Sequence, residues 1–413
     1  MTLLKINQAR LRDDIDSLSQ IGRGNDGGIY RTSFSDADME ARVWLKEQIE
    51  QAGLAFHQDG AANLHARLNW NDKIASVMTG SHIDSVPGGG HLDGALGVLA
   101  GLECLRRIKE LNLELKRPLE SIAFSDEEGR FGGIFGSNAI CGNLTTEDIQ
   151  SAQDLNGVSL LEAMARHGLP ALDALEAKRD AATIHAFVEI HIEQGPVLER
   201  QHIQLGAVDA IAGLFKWSIR LGGVAAHAGA TPMTMRQDAF SGVAEFSTSI
   251  NNVLEHHGSS RSVATIGRVV LSPGAANVIP NQAEFSLDVR DTDEETLNTL
   301  AIAMRETLVK IAQRCNLTFE YDVLSEIKPV QCNENIIQLI EDNANQLGIT
   351  NHRMASGAAH DTQIMAGKTK AGLIFIPSKD GCSHSPHEWS EWEDIENGAN
   401  ILLNTLYQLA NES

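Results

Sequence analysis

Several points along this 413-residue chain place an imidazole or a carboxyl group just past a short apolar run. His82 follows IASVMTG, Asp93 lies in the glycine-rich GGGHLDG ahead of a helical stretch, and Glu127 and Glu128 follow SIAFSD. His191 ends AFVEIH, and His384 comes after GLIFIPSKDGCS. Short continuous apolar runs are what strands buried on both faces look like, and ligands of open α/β sheets sit beyond the carboxyl ends of such strands. Histidines and carboxylates converging on one rim form a ligand set for zinc, manganese or cobalt. A single ion would not use them all. A bridged pair would: Asp93 spans both ions, His82 and His191 complete one set, and Glu128 and His384 complete the other. Glu127 is then free to shuttle protons for the water that the ions activate, which makes hydrolysis the natural reaction class.

Each residue also has an ordinary explanation. A lone histidine is more often structural, Glu127 and Glu128 alone could be a solvated acidic turn, and GGGHLDG alone could be a tight turn with an N-cap aspartate. Asp84, two residues after His82, either orients that imidazole or is a surface turn residue. His360, Asp361 and His387 lie in similar loops, and position alone does not separate them from the ligands.

The elements that must carry these groups follow from periodicity. Residues 37–53 read as a helix with an acidic first turn and Gly53 at its end; 74–79, 121–124 and 186–192 read as buried strands, and 95–111 as an amphipathic helix. From about Leu214 the pattern changes, with Phe215, Trp217, Ile219 and Leu221 alternating against Lys216, Ser218 and Arg220, so one sheet face is wet. The order there is strand 214–222, helix 238–256, strands 263–271 and 283–290, helix 293–314 and strand 318–325, the β-α-β-β-α-β order of a ferredoxin-like unit. A helix at 334–347 and a buried strand at 372–377 then resume the first pattern. The expected fold class is α/β: a mixed-sheet hydrolase domain in two parts, residues 1–212 and 329–413, interrupted by an inserted α+β domain at 213–328.

Composition narrows the function classes. The 55 acidic residues against 33 basic ones give a net charge of −22, which repels nucleic acid backbones and anionic lipid surfaces. Five scattered cysteines without a C-x-x-C pair point to a reducing cytoplasm. The first residues carry Arg10, Arg12, Asp13 and Asp14 where a signal peptide needs an apolar stretch, and no later run is long enough to span a membrane.

In chain order, GSHIDSVPGGGHLDGALG, SDEEGRFGGIFGS, VEIHIEQGPVLE, AHAGATPM, ANVIPNQAEFSLDVRD, SGAAHDTQ and IPSKDGCSHSPHE resemble the hydantoinase/carbamoylase branch of the M20 metallopeptidase family, over essentially the whole chain. That branch holds N-carbamoyl-L-amino acid hydrolases, β-ureidopropionases and allantoate amidohydrolases. The histidine of VEIHIEQG separates it from the exopeptidases of the family, which place a carboxylate there. The resemblance implies two divalent ions per subunit, zinc or manganese with cobalt or nickel as further options, held by His82, Asp93, Glu128, His191 and His384. Glu127 would be general base and acid. It also implies a homodimer formed through the inserted lid domain, with His227 reaching the partner subunit's site to stabilise an oxyanion. Gln194, Asn277, Arg290 and the backbone at Gly357 and Ala358 would hold the substrate. Arg290 lies on the polar face of its strand, where a guanidinium can grip a carboxylate. The expected substrate is a ureido acid, cleaved to ammonia and carbon dioxide, with allantoate hydrolysis or acyl-amide cleavage as the rival activities. Two departures, EEGRFGG where many members read EEGSRF and His91–Leu92 before Asp93, bear on substrate choice and remove no ligand.

Overall fold

A computed structural model describes residues 3–412. The chain forms two compact units, one made of the chain up to Asp209, Cys332–Met354 and Ala358 onward, the other of Ala210–Gln331 with Ala355–Gly357. The strands in chain order are β1 (Ala55–Gln58), β2 (Leu64–Leu68), β3 (Ser76–His82), β4 (Leu119–Phe124), β5 (Ile184–Ile192) and β6 (Leu205–Ile211). Next come β7 (Gly213–Gly222), β8 (Val263–Thr265), β9 (Val269–Ser272), β10 (Gln282–Asp291), β11 (Thr318–Ile327) and β12 (Val330–Gln331), then β13 (Asn351–Ser356) and β14 (Lys370–Ile376).

In the first unit the sheet runs β1-β2-β4-β3-β5-β14-β6. Strand β3 is parallel to β4 and β5, and β14 is parallel to β5, while the flanking pairs are antiparallel. Four adjacent strands therefore direct their carboxyl ends the same way. Every residue of β3 and β4 is buried, the polar ones included: the Ser76 and Ser81 hydroxyls donate to the buried carboxylates of Glu120 and Glu189. Helix Ala95–Glu110 packs on β3, β4 and β5, and Trp392–Asn411 packs on it and on β3, β5 and β14. Met78, Ile122, Phe124 and Phe187 form a second apolar cluster with Ile140 and Met365. Helix Asp36–Gln51 is N-capped by the Ser35 hydroxyl and has Asp36 and Asp38 in its first turn, where the helix dipole favours them.

Periodicity does not mark the β1–β2 hairpin, for a local reason. Its LHARL strand puts His65 and Arg67 where an apolar run would be, and both bond to the fully buried Glu120 of β4, at 2.9 and 2.8 Å.

The second unit is a β-α-β-β-α-β element whose antiparallel sheet runs β11-β7-β10-β8, with β9 also on β10. Helices Ala239–His257 and Glu294–Arg314 pack on the apolar face formed by Phe215, Trp217, Ile219, Leu221, Phe285, Leu287 and Val289. One expectation is corrected here: the single strand at 263–271 is two short strands. Thr265 pairs with Asp288 and Val269 with Phe285, so four residue steps face three, and the extra residue bulges out around Gly267.

Candidate metal centre

The carboxyl ends of β3, β4, β5 and β14 lie side by side, and each delivers one part of the site. His82 is the last residue of β3, fully buried, with Nδ1 3.0 Å from the Asp84 carbonyl, so that Nε2 faces the carboxylates. His191, next to last in β5, is fixed in the same way by the Ile192 carbonyl at 2.8 Å. A bond from one ring nitrogen to a main-chain oxygen sets the tautomer of a ligating histidine. Asp84 is buried. Its carboxylate accepts the Glu127 and Glu128 amides at 3.4 and 3.2 Å and the Ser33 hydroxyl at 2.7 Å. Of the two readings of Asp84, the surface turn is thereby overturned: one residue orients His82 and the turn after β4 together.

Asp93 stands at the centre. Its Oδ1 is 3.0 Å from His191 Nε2 and 3.9 Å from His82 Nε2, while its Oδ2 is 3.1 Å from His384 Nε2. His384 Nε2 is also 3.6 Å from Glu128 Oε2. Two groups of three thus share Asp93: His82, Asp93 and His191, all buried, and Asp93, Glu128 and His384, of which His384 is half exposed. Gly94 makes this approach possible, because at its φ of +64° a Cβ would lie 2.3 Å from His82 Nε2.

The electrostatics follow from burial and crowding. Burial alone would raise the Asp93 pKa, but its bonds to His191 and His384 hold it well below the usual carboxylate range. Burial acts to lower His191, and the Asp93 bond overcomes it and lifts the imidazole to about 9; the same bond lifts His384 to about 9. Glu127 is pushed well above the ordinary range by burial, then by Asp361, Glu128 and Asp84, and Glu128 rises to about 7 through burial and Asp93. Glu128 Oε1 is buried without a hydrogen-bond partner. Crowded carboxyls, imidazoles with fixed tautomers and an orphaned carboxylate oxygen are a donor set that fits divalent cations.

Glu127 belongs to neither group of three; its Oε2 is 3.4 Å from His82 Nε2. Of the loop residues left open by position, His360 stacks edge-on against His191 and Phe375, and His387 is exposed; neither enters the two groups. Asp361 is buried, and burial and Glu189 push its carboxyl up to about 8. Gln194, at φ +57°, donates from Nε2 to Asp93 Oδ2 at 3.0 Å. Arg130 of the departing EEGRFGG is held by Asp154 and by the Ser33 carbonyl, and it lines a cavity of about 370 Å³ with Asp84, Glu128 and Leu155. His91, of the second departure, packs edge-on against Trp389. Sequence reasoning missed Glu388, which accepts the Asp93 amide at 2.9 Å and the His384 amide at 3.2 Å. A carboxylate held mainly by backbone N–H groups leaves no spacing signal.

In the second unit, His227 and Asn277 are exposed on adjoining segments: His227 bridges to Val278, and the Asn277 carbonyl accepts the Ala228 amide at 2.9 Å. His227 Nδ1 accepts the Gly229 and Ala230 amides at 3.2 and 3.1 Å. Arg290 points one nitrogen at the Gly357 carbonyl, 2.6 Å away, and two others at Asp288. Ala358 belongs to the first unit.

The family model "Peptidase family M20/M25/M40" matches residues 78–408. Over 409 residues the chain is 39% identical to the N-carbamoyl-L-amino acid amidohydrolase of Geobacillus stearothermophilus, covering 98% of this chain and 99% of that protein. It is 34% identical over 405 residues to the allantoate amidohydrolase of Bacillus subtilis (strain 168), covering 97% of each. A crystal structure of an amidase of the hydantoinase/carbamoylase family from Burkholderia multivorans has a TM-score of 0.93 at 32% identity, covering 99% of both chains.

Proposed function

Because this chain belongs to the M20/M25/M40 peptidase family, we propose that it hydrolyses the ureido group of an N-carbamoyl-L-amino acid or related ureido acid. It is an amidohydrolase acting on a linear C–N bond. The observation that carries this reading is the division of Asp93, one oxygen toward His191 and the other toward His384, with Glu127 beside them and outside both groups.

His82, Asp93 and His191 would hold one divalent ion, and Asp93, Glu128 and His384 the other. When bound, such ions supply Lewis acidity that lowers the pKa of water and polarises a carbonyl. Glu127 Oε2 takes the proton of the attacking water and returns it to the leaving nitrogen. One water adds to the ureido carbon, the C–N bond breaks, and the carbamate that remains loses carbon dioxide, so ammonia, carbon dioxide and the amino acid are released. Arg290 and Asn277 would fix the substrate carboxylate, Gln194 and the backbone at Gly357 and Ala358 would line it, and the partner subunit's His227 would stabilise the oxyanion.

Dimerisation through the second unit is part of this reading. The short strands β8 and β9 expose Val263, Val269 and Val270, apolar side chains at a sheet edge that pairing would cover. No helix among the described residues is long and apolar enough to cross a membrane. Five unpaired cysteines fit the reducing cytoplasm in which we place the enzyme.

The test is ammonia release by metal-depleted protein resupplied with zinc, manganese, cobalt or nickel. N-carbamoyl-L-amino acids, 3-ureidopropionate, allantoate and ureidoglycolate are the substrates to offer. Ammonia from a carbamoyl amino acid is expected. Release from allantoate alone would favour the activity named for the Bacillus subtilis relative. Cleavage of acyl-amino acids or dipeptides without ammonia would contradict the proposal.

A further inference from the structure

Glu388 is buried beneath the candidate metal centre, and its two oxygens serve different loops. Oε1 accepts the Leu92 and Asp93 amides at 3.0 and 2.9 Å, in the loop after β3. Oε2 accepts the Ser383 hydroxyl at 2.9 Å and the His384 amide at 3.2 Å, in the loop after β14. These four donors compensate the burial of its carboxylate. Gly90 makes the room: a Cβ there would stand 2.1 Å from Oε1. The Ser383 hydroxyl also lies 3.0 Å from Asp93 Oδ2, between the two carboxylates.

The two halves of the centre are built differently. His82 and His191 end strands and are fixed by the sheet, whereas His384 sits eight residues past the end of β14 at a left-handed φ of +53°. A loop residue in that conformation persists only where its surroundings hold it. The surroundings here are Asp93 and Glu388. Losing a residue that orients a ligand through its own hydrogen bonds typically costs about 10- to 100-fold in metal affinity.

Resting on the dimetal reading above, we infer that Glu388 is a positioning residue: by clamping both loops with one carboxylate it sets the spacing between Asp93 and His384, and so the affinity for the cation those residues share. Glu388→Gln tests this, since an amide offers oxygen to one pair of donors and NH₂ to the other, leaving one loop without its acceptor. The measurement is Mn²⁺ titration of chelator-treated full-length protein by calorimetry, beside thermal unfolding of the same metal-free samples. Wild type should bind Mn²⁺, and Glu388→Gln should bind about 10- to 100-fold more weakly while unfolding near the wild-type temperature. Its kcat should recover toward wild type at saturating Mn²⁺. Gly90→Ala, which crowds the carboxylate without removing its charge, should weaken Mn²⁺ binding in the same direction and keeps the test open if Glu388→Gln does not fold. Mn²⁺ affinity within about twofold of wild type in a folded variant, whatever its melting temperature, overturns the positioning role. Wild type that binds no Mn²⁺ overturns the dimetal reading itself.

Discussion

Asp93 joins two imidazoles through separate oxygens, and Glu127 waits beside them without a place in either group. If Glu127 moves the proton, Glu127→Gln should lower ammonia release by about 10²- to 10⁴-fold without altering the metal content of the purified protein. Undiminished turnover would remove it from the chemistry. Gly94 is an equally sharp probe, because a methyl there meets His82 Nε2 and the backbone is left-handed. Gly94→Ala should fold yet lose divalent ion, measured by elemental analysis, through displacement of His82. The histidines and acids at the ends of apolar runs were legible in the sequence because chain position relative to a buried strand fixes where a side chain emerges. Asp84 was legible only as a candidate for orienting His82, and its hold on the amides of residues 127 and 128 was not; nor was Glu388, whose donors, the amides of residues 92, 93 and 384 and the Ser383 hydroxyl, are gathered by folding.

At the scale of elements, the parallel run of β3, β4, β5 and β14 explains why sequence segments hundreds of residues apart share a rim. The far end of β4 is locked by Glu120, which accepts from His65, Arg67 and Ser76 and pairs with Arg179. Burial would raise the Glu120 pKa, yet His65, Arg179 and Arg67 draw it far below its ordinary value of 4.5. A depressed carboxylate contributes stability that is fully present above the unfolded pKa and disappears as pH falls through the folded one. Glu120→Gln should therefore lose about 3–5 kcal/mol at pH 7 and show a flatter stability profile on the acid side, read by urea unfolding at pH 7 and pH 4. Equal loss of stability in wild type and variant between those pH values would argue against the linkage. The strand-helix order of the second unit was legible from alternation, whereas the bulge around Gly267 was not, because register depends on a partner strand that periodicity does not reveal.

For the whole molecule, the proposed homodimer links architecture to turnover. Val270→Lys puts a charge on the exposed edge of β9 and should shift the protein toward monomer in sedimentation, with activity falling in parallel. His227→Ala should leave the dimer intact and cut kcat by about 10²-fold, the usual cost of losing one oxyanion donor. A monomeric Val270→Lys variant with full activity would separate dimerisation from catalysis.

The most direct test of the central claim is anomalous diffraction from crystals grown with Mn²⁺, collected on both sides of the manganese absorption edge. Two peaks are predicted, one among His82, Asp93 and His191 and one among Asp93, Glu128 and His384, with Asp93 common to both. A protein that releases ammonia from a carbamoyl amino acid while showing no anomalous density at these residues would contradict the account.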